Sequence, residues 1–316
     1  MADVIKKATR DAYGAALVKL AEVCPDLVVL DADLAAATKT GVFKKACPDR
    51  FFDCGIAEGN MMSIAAGLAT CGKTVFASSF AMFAAGRAFE QVRNSIGYPH
   101  LHVKFGATHA GISVGEDGAT HQCCEDIALM RSIPGMVILN PADAVEAEKA
   151  VFAAAKHEGP VYLRCGRLAL PVIFNETDYH FEIGKSVQLT EGDDVTIIAT
   201  GLMVNEARIA AETLKATGIA ARVINMATIK PIDREAIVRA AKETGAIVSA
   251  EEHSVLGGLG SAVAEVVSET VPVPVLRVGV NDTYGKSGPA LELLKVFGLS
   301  AEHIAEEVKK AIALRG

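Results

Sequence analysis

The stretch EGNMMSIAAGLATCGKTVFASSF, residues 58–80, joins one helix to one strand and decides the fold class. Met61, Ile64 and Leu68 recur at helical spacing, and Gly72 is a residue at which helices commonly end. The apolar run TVFASSF follows at once and is typical of a buried strand. Helices that alternate with single buried strands indicate an α/β protein with parallel sheets.

The same alternation continues on both sides of this stretch. Strands are predicted in the runs DLVVLDADL, LHVKFG, GMVILN, GPVYLRCG, VTIIATG, ARVINM, AIVSAEE and PVLRVGV. Helices are predicted over 83–96, from Asn140-Pro141 to about Lys156, and over 204–217, 233–243 and 258–270. The polar segment 172–194 lacks helical periodicity and is interpreted as a linker. The pattern therefore predicts two doubly wound, mostly parallel α/β domains, at 1–175 and 190–316.

Composition excludes several classes of function. The 316 residues are 51% hydrophobic and 22% charged, with a net charge of −7 and no clustered basic run, which argues against a nucleic-acid partner. The N-terminus lacks the apolar core of a signal peptide, and no window approaches the roughly 20 apolar residues of a membrane span. The seven cysteines lack zinc-site spacing, and Cys123-Cys124 is interpreted as a buried helix start. We expect a cytoplasmic protein with reduced thiols.

Polar loops follow the predicted strands of the first half, and ligands of such sheets bind at the carboxyl ends of the strands. One sheet edge is therefore expected to gather a set of polar and aromatic side chains, namely Asp33, Glu58, Phe83, His109, Asp117 and His121. The two histidines flank the loop GEDG, residues 115–118, whose glycines permit close backbone approach. Histidine exchanges protons near neutral pH, so a ligand site is favoured here over a metal site.

Other residues admit a structural interpretation as well as a functional one. Glu58 alone would suit a dipole partner in a first helical turn, and Phe80 and Phe83 alone would suit the core. Arg164 and Arg167 lie at the end of the strand VYLRCGR and suit either surface ion pairs or an anion clamp.

A resemblance to a known family extends over nearly the whole chain. The segments GIAEGNMMSIAAGLA, SSFAMF, THAGISVGEDGATHQCCEDIALMRSIPGM, NPADAVEAEKA and YLRCGRLALP resemble the second half of transketolase. The segments VINMATIKPID, SAEEHSVLGGLGSAVAEV and NDTYGKSG resemble its C-terminal domain. The resemblance implies a thiamine diphosphate pyrimidine-binding domain at 1–175 and a transketolase C-terminal domain at 190–316.

The resemblance also implies roles around the cofactor. Glu58 matches the glutamate that hydrogen-bonds the aminopyrimidine of thiamine diphosphate and thereby favours its imino tautomer. Phe83 matches the aromatic residue stacked on the pyrimidine, with Phe80 beside it, and Asp33 matches an aspartate near the cofactor. A family tyrosine three residues beyond Phe83 is Gly86 here, so one wall of that pocket is altered.

A second group matches substrate-binding residues of the family. His109 and His121 match histidines that handle sugar hydroxyl protons, His121 as a catalytic residue, and Asp117 matches a reader of hydroxyl stereochemistry. Arg10 and Arg167 match phosphate-binding arginines, and His109 lies on that side. A family serine is Ala37 in this sequence, with Thr38 adjacent, which leaves one phosphate hydrogen bond without its donor.

The metal-binding motif of the family, Gly-Asp-Gly followed some 30 residues later by Asn, is missing from the chain. The resemblance thus implies the C-terminal subunit of a two-subunit transketolase that moves a two-carbon ketol group from a ketose phosphate to an aldose phosphate. Mg²⁺ and the diphosphate would be held by an N-terminal subunit, in an α2β2 assembly that is active only as a whole. The donor stays open between pentose-phosphate ketoses and rarer sugar phosphates.

Three alternatives stay open at this point. They are the beta subunit of a 2-oxo-acid dehydrogenase decarboxylase, half of a deoxyxylulose-phosphate synthase, and a non-catalytic structural subunit. The GEDGATHQ loop and the candidate phosphate arginines favour transketolase over the first.

Overall fold

The strands of the first half are short, with at most seven residues each. A computed structural model describes residues 5–315, so the first four residues of the predicted first domain lie outside the described residues. The strands are β1 Lys6–Ala8, β2 Leu27–Asp31, β3 Phe51–Asp53, β4 Thr74–Phe80, β5 Val103–Thr108, β6 Val137–Leu139, β7 Val161–Arg164 and β8 Ala169–Pro171. In the second half they are β9 Val187–Thr190, β10 Val195–Ala199, β11 Ala221–Asn225, β12 Thr228–Lys230, β13 Ile247–Ser254 and β14 Val275–Val280.

Helices connect most of these strands. The α-helices are Thr9–Val23, Ala35–Thr38, Thr40–Ala46, Glu58–Thr70, Phe89–Gln91, Asp126–Arg131, Ala144–Lys156, Met203–Lys215, Arg234–Thr244, Leu259–Glu269, Ala290–Val296 and Ala301–Leu314. Short 3₁₀ turns occur at Pro48–Arg50 and Ile112–Val114, and π-helical turns at Met82–Arg87 and Val92–Gly97. Within residues 5–315, no helix combines the length and apolar character needed to cross a bilayer.

Two parallel-dominated sheets confirm the predicted fold class. The first has the order β12-β6-β7-β5-β4-β2-β3, and the second has the order β14-β13-β10-β11-β9. All neighbours in these two sheets are parallel except β12 with β6 and β9 with β11. A separate antiparallel pair joins β1 to β8.

Each sheet is buried on both faces, as a doubly wound domain requires. Successive side chains of a strand point to opposite faces, so neighbours in sequence enter different cores. In β2, Val29 packs into one hydrophobic cluster and Leu30 into another. In β10, Ile197 and Ile198 divide in the same way between the two clusters of the second sheet.

Two predicted helices differ from the structure. The helix expected from Asn140-Pro141 begins at Ala144, because the Asp143 side chain accepts the Glu146 N–H at 2.8 Å and is the true cap. The helix predicted over 83–96 is broken into π-helical turns on either side of Phe89–Gln91. The bond from the Ala88 N–H to the Phe83 carbonyl, five residues back, is the local cause.

The two halves of the chain are joined by more than a linker. The segment 172–194, interpreted as a linker, contains β9, which forms an antiparallel edge of the second sheet. The strand β12 belongs to the second half by sequence, yet it pairs with β6 of the first sheet. The domain bounds 1–175 and 190–316 stay a prediction, and β12 crosses between the units that they define.

Asp143 gives a test of how the first domain is held to the segment that follows it. Its buried carboxylate accepts N–H groups from Glu146 at 2.8 Å, Ile173 at 2.7 Å and Phe174 at 2.9 Å. Asp143→Ala should lower the free energy of unfolding by about 3 kcal/mol, because three N–H groups lose a charged acceptor. Urea unfolding followed by circular dichroism measures this loss. Ser300→Ala, which removes a cap with one long bond of 3.4 Å, should cost about 1 kcal/mol or less.

Candidate active site

Four aromatic rings meet at the carboxyl ends of β4 and β5. Phe80 ends β4 and stacks on His109, which follows β5, with 3.9 Å between the ring centroids. Phe83 lies 6.0 Å from Phe80 in a stacked arrangement and 5.3 Å from His121 in an edge arrangement. The structure thus brings together Phe83, His109 and His121, which were predicted to share one sheet edge, and adds Phe80 to them.

His109 is buried and held in the left-handed backbone region, with φ 56°. The Arg10 Nη1 lies 2.8 Å from Nε2, and the Thr108 hydroxyl lies 2.9 Å from Nδ1. A guanidinium only donates, so Nε2 accepts from Arg10 and Nδ1 carries the ring hydrogen and donates to Thr108. Burial, followed by the positive charges of Arg10 and Arg167, lowers the pKa of His109 to about 3. His109 is therefore a neutral imidazole at physiological pH.

Arg167 packs against the GEDG loop. Its Nη1 donates to the Val114 carbonyl and, at 3.0 Å, to the Glu116 carboxylate. Burial of Arg10 and the positive charge of Arg167 both lower the pKa of Arg10. Arg10, His109 and Arg167 form one corner rich in hydrogen-bond donors and positive charge, which we call the cationic corner.

Arg164 has a different role from both interpretations of the sequence. It is buried, and its Nε donates to the buried Asp126 carboxylate at 2.8 Å. It is therefore neither a surface ion pair nor part of an anion clamp, because its charge is neutralised inside the protein.

Glu58 is the first residue of the helix Glu58–Thr70 and is only 1% exposed. Its Oε2 accepts a hydrogen bond from the Arg87 Nη1 at 2.9 Å, and the Arg87 guanidinium lies over the Phe83 ring at 4.4 Å from the centroid. The sequence analysis missed Arg87. Its spacing of four residues from Phe83 was the available signal, since residues that far apart on a helix are neighbours.

The two departures from the family pattern have local explanations. A side chain at Gly86 would begin 2.5 Å from the Met82 Cε, so Met82 occupies that wall. The Ala37 carbonyl accepts from Arg10 at 3.1 Å, and the neighbouring Thr38 hydroxyl donates to the buried Asp31 carboxylate at 2.7 Å. Thr38 therefore does not replace the hydroxyl that Ala37 lacks.

Among the residues that the structure describes, Asp33 and Asp117 make no side-chain hydrogen bond that would fix their carboxylates at the site. Both side chains are exposed, and neither carboxylate accepts a hydrogen bond from another residue between 5 and 315. Asp33 has a left-handed backbone, φ 61°, and its N–H donates to the Asp53 carboxylate at 3.1 Å. Their predicted roles toward cofactor and sugar stay predictions.

The described part of the chain contains no group of three His, Cys, Asp or Glu side chains that could hold a metal ion. Cys123 and Cys124 are buried just before the helix Asp126–Arg131, and burial raises the pKa of both thiols. High thiol pKa values disfavour the reactive thiolate, in agreement with a structural role.

Comparison with known proteins identifies the class of protein that this fold and site define. The families described as "Transketolase, pyrimidine binding domain" and "Transketolase, C-terminal domain" match residues 5–172 and 184–304. The chain belongs to the transketolase family. This membership favours transketolase over the beta subunit of a 2-oxo-acid dehydrogenase.

Particular relatives narrow the comparison. A solved chain described as "Split gene transketolase, inactive beta4 tetramer" is 56% identical, with a TM-score of 0.92 over 98% of this chain and 99% of that one. The 6-deoxy-6-sulfo-D-fructose transketolase subunit SqwH of Clostridium sp. is 46% identical, over 93% of this chain and 91% of that protein. Human transketolase is 40% identical over 97% of this chain but only 49% of its own length. The chain is thus similar to separate transketolase subunits and to one half of a single-chain transketolase.

The protonation state of His109 can be checked directly. Because its pKa is lowered to about 3, its ring resonance should not titrate between pH 5 and 9 in the folded chain. In urea the same resonance should titrate near the ordinary value of about 6.5. Between these two pKa values the unfolded state binds a proton that the folded state does not bind. His109 should therefore lower the free energy of unfolding as pH falls from 6.5 toward 3. NMR titration of histidine-labelled protein makes the measurement, and a folded-state inflection near 6 would contradict the neutral assignment.

Proposed function

We propose that this chain is the C-terminal subunit of a two-subunit transketolase. The complex would use thiamine diphosphate to transfer a two-carbon ketol group from a ketose phosphate to an aldose phosphate. The observation that carries the proposal is the buried Glu58 carboxylate beside the Phe80–Phe83 pair, next to the cationic corner. The main alternative is a non-catalytic subunit that has the same fold but takes no part in the reaction.

The residues present fit the pyrimidine half of the cofactor. A carboxylate that is 1% exposed pairs with a ring nitrogen far more strongly than a solvated one. The Phe83 ring lies nearby, and the Arg87 guanidinium, which bonds Glu58 and covers that ring, would make way for the pyrimidine. When bound, thiamine diphosphate supplies the carbon nucleophile and the electron sink for carbon–carbon cleavage. Glu58 would hold the proton at the pyrimidine nitrogen, and Phe83, with Phe80 behind it, would fix the plane of the ring.

The cationic corner would bind the substrate phosphate. Guanidinium groups bind phosphate oxygens in bidentate fashion, and Arg10 and Arg167 approach the same region from different elements. Neutral His109 already gives its Nε2 lone pair to Arg10, so its contribution would be to orient that guanidinium. His121 is left as the ring next to Phe83 that could exchange a proton with a sugar hydroxyl, and Asp117 would read the stereochemistry of the sugar.

The second chain would supply Mg²⁺ ligands and the diphosphate site. The described residues hold no metal-ligand group, and this chain covers about half of human transketolase. Two exposed apolar side chains precede Glu58 in the sequence, Phe52 at 44% and Ile56 at 77% exposure, and both suit contact with a partner. The 56% identical solved chain is described as inactive as a beta4 tetramer. We propose an α2β2 complex in the cytoplasm, to which the seven unpaired cysteines lend support.

The central test is Glu58→Gln in the complex reconstituted with the N-terminal subunit, thiamine diphosphate and Mg²⁺. Turnover of ketose phosphates should fall by about 10²-fold or more, because an amide cannot exchange the proton at the ring nitrogen. Glu158→Gln, at a side chain 92% exposed, should leave turnover unchanged. The chain without its partner should be inactive. Full turnover by the Glu58→Gln complex would support the non-catalytic subunit instead.

A second test concerns the cationic corner. Arg167→Ala should raise KM for a phosphorylated ketose donor by about 10–100-fold, because a charged hydrogen bond to phosphate is lost. The unphosphorylated ketose should be affected little. Arg234→Ala, at a surface ion pair with Glu269, is the matched control. Steady-state kinetics with both donors makes the measurement, and equal losses for the two would contradict a phosphate role.

A further inference from the structure

A carboxylate of the C-terminal half reaches the loop that carries the cationic corner. Glu252 lies in β13 and is buried, and its Oε1 accepts the Ser113 N–H at 2.5 Å. Ser113 belongs to the 3₁₀ turn Ile112–Val114, which lies between His109 and the GEDG loop. The two residues are 139 positions apart, so this contact links the two halves of the chain.

The loop is shaped to receive this carboxylate. Gly111 has φ +81°, and a side chain there would begin 2.4 Å from the Glu252 Cδ. Only glycine combines that backbone region with such a close approach. The loop backbone therefore rests directly on the Glu252 carboxyl group.

Arg167 binds the same loop at a second point. The Val114 carbonyl accepts from the Arg167 Nη1, and the Ser113 N–H immediately before it donates to Glu252. One carboxylate and one guanidinium thus bind adjoining backbone groups. A shift of the Ser113 peptide would carry the Val114 carbonyl with it and change where the Arg167 guanidinium points.

Glu252 is itself fixed by a buried ion pair. Its main-chain carbonyl accepts from the Arg164 Nη2 at 2.9 Å, and the Arg164 Nε donates to Asp126 at 2.8 Å. These groups are all buried, and a hydrogen bond in the protein interior is electrostatically stronger than the same bond in water. The Glu252 carboxyl therefore has a fixed place from which to hold the loop.

We propose that Glu252 is a positioning residue, by which the C-terminal domain sets the geometry of Arg167 through the Ser113–Val114 backbone. The inference rests on the proposed function, in which Arg167 binds the substrate phosphate. Through Glu252 the C-terminal domain would take part in substrate recognition by way of Arg167.

The proposal has a consequence for pH. Burial raises the pKa of Glu252 to about 7, against the opposing effect of Arg164. The charged or titratable groups that face it are Arg164, Asp126 and Cys124, and of these Asp126 stays ionised because its pKa is lowered. As pH falls below about 7, Glu252 gains a proton and becomes a weaker acceptor for Ser113. Binding of phosphorylated donors should weaken in the same range.

The test uses Glu252→Gln in the reconstituted complex, with fructose 6-phosphate and fructose as paired donors. The KM for fructose 6-phosphate should rise about tenfold at pH 8, with kcat and the KM for fructose nearly unchanged. Between pH 6 and 8 the variant should lose that part of the pH dependence that wild type shows for fructose 6-phosphate. Inorganic phosphate as an inhibitor should weaken in parallel, which gives a readout independent of turnover.

Glu251→Gln is the matched control. Glu251 is the neighbouring buried carboxylate of β13, but it accepts the N–H groups of Leu259 and Gly260 at the start of a helix and forms no hydrogen bond with residues 111–117. Its replacement should lower stability without separating the two donors. If Glu252→Gln fails to fold, Glu252→Asp, which shortens the side chain, should show the same selective rise in KM.

The outcomes separate the inference from the function beneath it. A normal KM in Glu252→Gln, together with a raised KM in Arg167→Ala, would overturn the positioning role and leave the proposed function intact. No donor selectivity in either variant would overturn the phosphate site and the inference with it. Equal donor losses in Glu251→Gln and Glu252→Gln would show a structural role only and also overturn the inference.

Discussion

The buried ion pair between Arg164 and Asp126 is the interaction on which the junction of the two halves depends. Asp126 also accepts the Tyr162 hydroxyl at 2.9 Å, and Arg164 donates to the Glu252 carbonyl of the second half. A buried charge without its partner costs several kcal/mol, so neither member can be lost alone. Arg164 ends β7, and Asp126 begins the helix that follows the GEDG loop. The pair therefore holds these two elements of the candidate site together.

At the candidate site, residues of the same type have different roles because they differ in burial and in the charges around them. Arg164 is neutralised inside the protein, whereas Arg167, three residues later, keeps its guanidinium at the surface of the same corner. His109 is kept neutral by burial and by the cations around it, while His121 faces Phe83 from a more open position. The chemistry of the site therefore depends on where each group lies between protein interior and solvent.

The sequence predicted most of the parallel strands, because a buried apolar run can be recognised from local pattern alone. It also placed Phe83, His109 and His121 at one edge, since the carboxyl ends of parallel strands meet there. It missed β9 and β12, whose antiparallel pairing depends on distant partners, and the π-helical turns around Phe89–Gln91. The Arg87–Glu58 ion pair and the hydrogen bond of the Thr38 hydroxyl to Asp31 could not be predicted from the sequence, because both depend on side-chain geometry.

The strand β12 has a consequence for how such subunits can be recombined. Thr228–Lys230 completes the edge of the first sheet beside β6, so a polypeptide cut near residue 190 would leave β6 with an unpaired edge. Chimaeras that exchange the C-terminal portion between relatives must therefore preserve the pairing of Thr228–Lys230 with β6. A hinge motion between the two portions is equally unfavourable, because it would break the pairing of β12 with β6.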